Sequence, residues 1–152
     1  MNKKFILGIA AAAAIAVGSL SASAAGFAKT NTYTPGMFND VPASEWYASS
    51  VSSSYELGFM KGTADGVFSP EGNMTVAEAI TIAARVHDAY NAKGTAFSQN
   101  GANWYDDYVK YAIDNGIIKS DAFDDYERPV KRYEMAVIFS KAVPDDYLAA
   151  KN

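Results

Sequence analysis

The chain contains two copies of one sequence pattern, and this internal repeat constrains the fold more than any other feature. Five positions agree at a spacing of 58 residues: Trp46 and Tyr47 with Trp104 and Tyr105, Val51 with Val109, Gly58 with Gly116, and Lys61 with Lys119. Glu78 then matches Glu134 and Ile82 matches Ile138 at a spacing of 56, so the second copy has lost two residues between its halves. The sequence therefore predicts one structural unit built twice.

Each copy is predicted to form a helix, a loop and a second helix, which gives an all-α fold. Apolar residues of the second copy share one face of its first helix: Tyr105, Tyr108, Val109, Ala112 and Ile113. We expect Ser44 and Asn103 to cap the two opening helices, and Gly58 and Gly116 to end them. The closing helices carry matching core stripes, namely Ala79, Ile82, Ala83 and Val86, then Met135, Ile138, Phe139 and Ala142.

The loop of the first copy, from Lys61 to Pro70, has a turn at Asp65-Gly66 that is followed by one large aromatic residue. We expect this aromatic residue, Phe68, to fill the space between the two helices of its copy. Phe123 or Tyr126 would take that place in the second copy.

The N-terminus has the pattern of a cleaved signal peptide. Lys3 and Lys4 precede an apolar run from Phe5 to Val17, and Ala22-Ser23-Ala24 offers small residues for cleavage after Ala24. The run is shorter than the roughly 20 residues that span a bilayer. We therefore predict that residues 1–24 are removed during export and that the mature chain leaves the membrane.

The composition of the remaining chain narrows its partners and its chemistry. Without the signal it has 11 basic and 17 acidic residues, a net charge of −6, which argues against a nucleic-acid partner. The chain has no cysteine, so burial rather than disulfides must hold the exported domain together. The single histidine, His87, completes neither a catalytic triad nor a two-histidine metal site, and the Asp65-Gly66 turn lacks the terminal acids of a calcium loop. We predict no enzymatic activity, no cofactor and no metal site.

The order of motifs in the first copy resembles a complete S-layer homology (SLH) repeat. These motifs are Phe38-Asn39-Asp40-Val41, Trp46-Tyr47, Gly58 to Gly62, Asp65 to Pro70, and Met74 to Ala79. The second copy repeats most of them from Phe97 to Ala142. We assign residues 25–37 to a linker, 38–94 to repeat 1, 95–142 to repeat 2 and 143–152 to a truncated third repeat, whose Val143 to Tyr147 resembles the opening of copy one.

The resemblance implies a protein of the bacterial cell wall. SLH repeats pack as three units around a pseudo-threefold axis and bind secondary cell-wall polysaccharide, which is anionic and often pyruvylated. We therefore expect a secreted protein that anchors non-covalently to the cell wall or cell surface, with its two repeats forming an incomplete bundle. Two alternatives stay open: a structural S-layer or assembly module that self-associates or takes its third repeat from another chain, and the truncated anchor of a longer surface protein.

The resemblance also implies an anion-binding residue in repeat 2. Arg132 lies where the family has a ligand-groove arginine, whereas repeat 1 has Val76 at that place. An exposed arginine at a helix start is the alternative. Glu134 is expected to orient Arg132 or to meet the ligand, because Lys131 offers no cap to pair with it. Glu78 has a simpler explanation as half of a capping box with Thr75.

Five other positions complete the predicted ligand-binding set. Trp46 and Trp104 either stack on a sugar ring or pack as a plug between the repeats. Asp40, Lys61 and Gly62 resemble groove positions of the family. Gly62 is included because its missing side chain lets a ligand approach the backbone.

Overall fold

The computed structural model describes residues 27–98 and 101–143. It has four helices in this part of the chain: α1 (Ala48–Glu56), α2 (Val76–Tyr90), α3 (Asp106–Asp114) and α4 (Arg132–Ser140). The described residues contain no β-strand, only two isolated β-bridges, Ala64 with Val67 and Thr75 with Pro129. The predicted all-α class is confirmed. The predicted signal peptide, and all of the predicted third repeat except Val143, lie outside the described residues.

The two opening helices end as predicted but begin differently. Gly58 and Gly116 follow α1 and α3 with φ of +74° and +71°, the left-handed conformation that suits glycine at a helix end. The predicted caps Ser44 and Asn103 are wrong, because α1 and α3 begin without a side-chain cap. Asn103 instead donates its backbone N–H to the Asp106 carboxylate (2.9 Å), so an acid of the first turn ties down the preceding loop.

The main core forms around α2, which packs against both α3 and α4. Its fully buried members on α2 are Val76, Ala79, Ile80, Ala83 and Ala84. The predicted stripe is therefore shifted, since Ile80 rather than Ile82 lies at the centre and Ile82 is half-buried. A helix between two neighbours buries a wider face than a stripe of four positions predicts.

A smaller cluster surrounds α1 and contains Phe38, Val41, Val51 and Phe68. The rings of Phe38 and Phe68 meet edge to face at 5.2 Å. Phe68 is thus buried and belongs to the cluster around α1. Phe123 and Tyr126 pack on the main core.

The predicted linker 25–37 is in contact with α1 over its described part. Thr30 and Asn31 donate their backbone N–H groups to the carbonyl of Glu56 (2.7 and 3.0 Å), and the Asn31 side chain donates to the carbonyl of Tyr55 (2.8 Å). Because the last carbonyls of a helix have no partner within it, these bonds satisfy the end of α1.

The loop of repeat 2 lies over the start of α2. Val76 and Ala77 donate their backbone N–H groups to the carbonyls of Arg128 (3.0 Å) and Tyr126 (2.8 Å), and Val130 donates back to Met74 (2.9 Å). The first turn of α2, which belongs to repeat 1, is therefore satisfied by repeat 2. The two repeats share one core and one set of backbone bonds.

Candidate functional site: two equivalent grooves

Groove 1 lies between the two repeats and has a volume of about 390 Å³. It runs between the loop of repeat 1 and α2, and Trp104 of repeat 2 borders it. The lining residues are Phe59–Thr63, Phe68–Pro70, Gly72–Met74, Glu78, Thr81, Ile82, Arg85 and Trp104. Its wall thus combines aromatic, aliphatic, hydroxyl and charged groups.

Groove 2 lies at the corresponding place in repeat 2 and has a volume of about 380 Å³. Its lining residues are Gly116–Lys119, Ala122, Phe123, Tyr133, Glu134, Val137, Ile138 and Lys141. Several of these occupy the same repeat positions as residues of groove 1: Lys119 and Lys61, Glu134 and Glu78, Val137 and Thr81, Ile138 and Ile82, Lys141 and Arg85. The two grooves are therefore equivalent surfaces of the repeat with different chemistry.

The two tryptophans have the same local geometry and different surroundings. Each ring lies edge to face against the following tyrosine, at 5.6 Å for Trp46 and Tyr47 and at 5.4 Å for Trp104 and Tyr105. Trp46 is 86% exposed and Trp104 is 44% exposed. The alternative that they form a core plug is therefore wrong. Trp104 borders groove 1, whereas Trp46 lines neither groove.

Lys61 and Gly62 both line groove 1. Lys61 is exposed, and its ammonium makes no hydrogen bond or ion pair with the described residues. Gly62 has φ of +86°, and a Cβ added there would lie 2.5 Å from the Val67 carbonyl oxygen. The space beside Gly62 is thus filled by the chain's own loop, which is a structural reason for the glycine.

Asp40 stabilises the loop of repeat 1 by accepting hydrogen bonds from its backbone. Its carboxylate accepts the backbone N–H groups of Phe68 (2.9 Å) and Ser69 (2.6 Å). These bonds, the one from Phe68 above all, lower the pKa of Asp40 below its ordinary value. Ser69 has φ of +61°, so the carboxylate holds a strained residue in place. Asp40 lines neither groove.

Glu134 is paired with Arg128 and not with Arg132. The two side chains form a bidentate ion pair with N–O distances of 2.9 and 2.7 Å, and Glu134 also accepts the backbone N–H of Lys131 (2.8 Å). The bonds from Arg128, followed by that from Lys131, lower the pKa of Glu134 to about 2. The prediction that Glu134 has no capping role is wrong, since it satisfies the start of α4 in the way that Glu78 satisfies the start of α2.

Arg132 is exposed at the first position of α4 and lines neither groove. It makes no hydrogen bond or ion pair with the part of the chain that the structure describes. Val76, its equivalent in repeat 1, is completely buried because the loop of repeat 2 covers the start of α2. No such loop covers the start of α4 among the described residues, so the two positions differ in environment as well as in residue type.

Comparison with known proteins agrees with this architecture. The S-layer homology domain family matches residues 38–80, which run from the start of repeat 1 into α2. The chain contains an S-layer homology domain at residues 38–80. The S-layer protein sap of Bacillus anthracis is 33% identical over 119 residues, covering 77% of this chain and 14% of that protein. The SLH chain thus spans about a seventh of the length of this relative, and no solved structure matches it significantly.

Two groove residues of the SLH chain were not expected from its sequence. Arg85 donates to the carbonyl of Phe59 (3.0 Å) and to the hydroxyl of Tyr108 (2.9 Å), so it joins the repeat 1 loop, α2 and repeat 2. Thr81 lies beside it, and its buried hydroxyl has no hydrogen-bond partner among the described residues. The sequence signal that could have indicated these two groove residues is an arginine and a threonine inside the apolar stretch of α2.

The single histidine of the SLH protein lies on α2, at the contact with α3. His87 bonds to the hydroxyl of Tyr111 (3.0 Å), and burial lowers the pKa of His87 and raises that of Tyr111 to about 12. Within residues 27–98 and 101–143, no group of three or more acidic or histidine side chains is arranged to hold a metal ion. No helix in the same ranges combines the length and apolar character that crossing a bilayer requires.

Proposed function

We propose that the chain is exported by its N-terminal signal and attaches to the bacterial cell wall by binding anionic wall polysaccharide in groove 1. The observation that carries the proposal is that Lys61 of repeat 1 and Trp104 of repeat 2 line the same groove. A cation and an aromatic ring are the two groups that an acidic sugar needs, one for its carboxylate and one for the apolar face of its ring. The S-layer relative supports placing this activity at the wall.

The polar wall of groove 1 supports recognition of a sugar. Thr63, Ser69 and Asn73 line the groove with hydroxyl and amide groups, beside the apolar surfaces of Met74 and Ile82. Binding sites for small polar ligands typically combine a few placed polar groups with an apolar wall. The negative charge of the chain opposes binding weakly, because charges beyond a Debye length of about 8 Å are screened at physiological salt.

We propose Lys61 as the contact to the sugar's negative charge, with Arg132 as the second candidate. Lys61 belongs to the groove that Trp104 borders, and its ammonium is available for a ligand. Arg132 keeps the planar, two-pronged geometry that suits a carboxylate, but it lies outside both grooves. Comparing the two alanine variants separates these assignments.

The test is binding of purified wall polysaccharide to the full chain as processed by its host, measured by calorimetry at a low protein concentration. Trp104→Ala should weaken binding about tenfold or more, the loss typical of an aromatic anchor. Trp46→Ala, the equivalent residue outside the grooves, should weaken it far less. Lys110→Ala, an exposed lysine of α3 that pairs with Asp114, is the surface-charge control.

Removing the pyruvyl groups of the polysaccharide tests the charge contact. We expect Lys61→Ala to abolish the preference for the pyruvylated form, and Lys119→Ala, its equivalent in groove 2, to keep it. If Arg132→Ala alone abolishes the preference, the anion contact lies at α4. Equal losses in Trp46→Ala and Trp104→Ala would contradict binding in groove 1.

A further inference from the structure

Groove 2 differs from groove 1 in what borders it. Groove 1 is bordered on one side by Trp104, the opening tryptophan of the next repeat. In groove 2, no described residue beyond Lys141 contributes to the lining. Tyr133 and Val137 of α4, at its edge, are 64% and 59% exposed. The equivalent positions on α2, Ala77 and Thr81, are buried, and Ala77 donates its backbone N–H to the Tyr126 carbonyl of repeat 2.

Trp46 is, among the described residues, the counterpart of the tryptophan that borders groove 1. It occupies the position of Trp104 in the repeat and holds the same edge-to-face arrangement with the tyrosine that follows it. At 86% exposure, it is the most exposed large apolar side chain in the described residues. Trp46 therefore presents an exposed ring just before α1 in the same arrangement as Trp104, and this arrangement suits entry into a groove of the repeat.

The surfaces of α4 and α1 are complementary in side-chain size. Tyr133 and Val137 of α4 are the larger side chains, and α1 has the exposed Ser50 and Ser53 at the repeat positions of Tyr108 and Tyr111. At the same repeat positions inside the chain the order is reversed, with Ala77 and Thr81 on α2 and the two buried tyrosine rings on α3.

The charges of the two free surfaces are also complementary. Lys119 and Lys141 line groove 2, and its one carboxylate, on Glu134, is neutralised by Arg128. Glu45 directly precedes Trp46 and is exposed. Entry of Trp46 would therefore carry an acid towards a groove edge with two unopposed lysines, which favours this orientation of the partners.

We propose that groove 2 is the docking surface for a second copy of this chain, whose Trp46 enters it as Trp104 borders groove 1. The contact is head to tail, because repeat 2 of one copy receives repeat 1 of the next. Such a contact uses two different surfaces and continues from copy to copy unless the geometry closes a ring. Ser50 and Ser53 bury little apolar area, so the association is weak and concentration-dependent.

The first test is sedimentation of the full processed chain over a concentration series that reaches the high micromolar range. We expect reversible association beyond the monomer. Trp46→Ala and Val137→Asp should each raise the dissociation constant about tenfold or more, since one removes the anchor and the other charges the groove. Both residues are exposed, so circular dichroism should show unchanged helix content in both variants. A chain that stays monomeric throughout the series would overturn the proposal.

Mixing the two variants tests the head-to-tail geometry. The Trp46→Ala chain keeps groove 2, and the Val137→Asp chain keeps Trp46, so an equimolar mixture should form a one-to-one complex that neither forms alone. If Val137→Asp prevents association while Trp46→Ala leaves it intact, two α4 surfaces pair symmetrically and the proposal is wrong. A mixture that stays monomeric, while the unmodified chain associates, would also overturn it.

Discussion

The two grooves arise from one repeat pattern, yet their surroundings make them different surfaces. Groove 1 lies between two repeats, keeps Lys61 and Thr81 on its wall and is bordered by Trp104. Groove 2 has Val137 in place of the threonine, and its glutamate is held by Arg128. The repeat supplies the shape of a groove, and the chemistry differs through residues of the same repeat and through Trp104, which the next repeat contributes to groove 1.

The closing helices show the same contrast in packing. α2 lies between α3 and α4, and its centre at Ile80 is completely buried. α4 lies at an edge, with Val137 largely exposed. Within the described residues, α2 thus contacts helices of both kinds, α3 and α4, whereas α4 packs mainly on α2.

The largest effect should come from the centre of α2. Ile80→Ala leaves a cavity in the shared core and should lower the free energy of unfolding by about 2–5 kcal/mol. Val137→Ala on α4 should change it by no more than about 0.5 kcal/mol, because the side chain is exposed. Urea denaturation of both variants measures the difference. Equal losses would show that α4 is as buried as α2.

The second-largest effect should come from the loop of repeat 1, which we expect to be more sensitive to substitution than the loop of repeat 2. Gly62→Ala forces a side chain into the left-handed region and against the Val67 carbonyl, at a cost of about 1–3 kcal/mol in unfolding free energy. Ser120 occupies the same position in repeat 2, so that loop already accepts a side chain. Ser120→Ala is the matched control, with an expected change within about 0.5 kcal/mol. A harmless Gly62→Ala variant would contradict the tight loop of repeat 1.

Part of this fold could be predicted from the amino-acid sequence, and part could not. The repeat, the four helices and the glycine ends of α1 and α3 follow from local rules, and those predictions are confirmed. The central burial of α2 depends on which helices pack together. The pairing of Glu134 with Arg128 depends on how a loop folds back onto α4, and neither feature leaves a periodic signal in the sequence.

Some of the predicted site residues line groove 1, and others lie elsewhere. Lys61, Gly62 and Trp104 line groove 1, and their binding of a ligand stays a prediction. Asp40 lies among the backbone groups of its own loop, and Trp46 and Arg132 lie outside both grooves. The position of Trp104 depends on how two repeats pack, and the bonds of Asp40 depend on how its own loop folds; a single repeat motif specifies neither.

A third, smaller effect concerns the acid stability of repeat 2. The pKa of Glu134 is held at about 2 in the folded chain, below the unfolded value of about 4.3. The ion pair therefore contributes stability that is complete above about pH 4.3 and is lost as the pH falls towards 2. Glu134→Gln should make the acid-side loss of stability shallower in this range, measured by denaturation at each pH.

Arg128→Met is the companion variant for this pH profile. It should reduce the slope in the same range as Glu134→Gln, because it removes the main cause of the lowered pKa. Asp40, whose pKa is also lowered, keeps its contribution in both variants. Unchanged slopes in both variants would show that Glu134 titrates at its ordinary pKa.

The smallest expected effect exchanges one groove residue for its equivalent. Thr81→Val gives repeat 1 the residue of repeat 2 and removes a buried hydroxyl that has no partner among the described residues. It should raise the free energy of unfolding by up to about 1 kcal/mol. Thr81→Ser keeps the hydroxyl and loses a methyl group, so it should destabilise. A destabilising Thr81→Val would show that the hydroxyl is bonded.

The most direct test of the division between the grooves is an NMR titration of the isotope-labelled chain with pyruvylated wall oligosaccharide, at a concentration where the chain is monomeric. We expect the Trp104 indole N–H and the amides of Lys61 and Thr81 to shift with a common affinity, while the Trp46 indole and the amide of Val137 stay in place. Shifts centred on Val137 and Arg132, with Trp104 unmoved, would place the saccharide at α4 and contradict binding in groove 1.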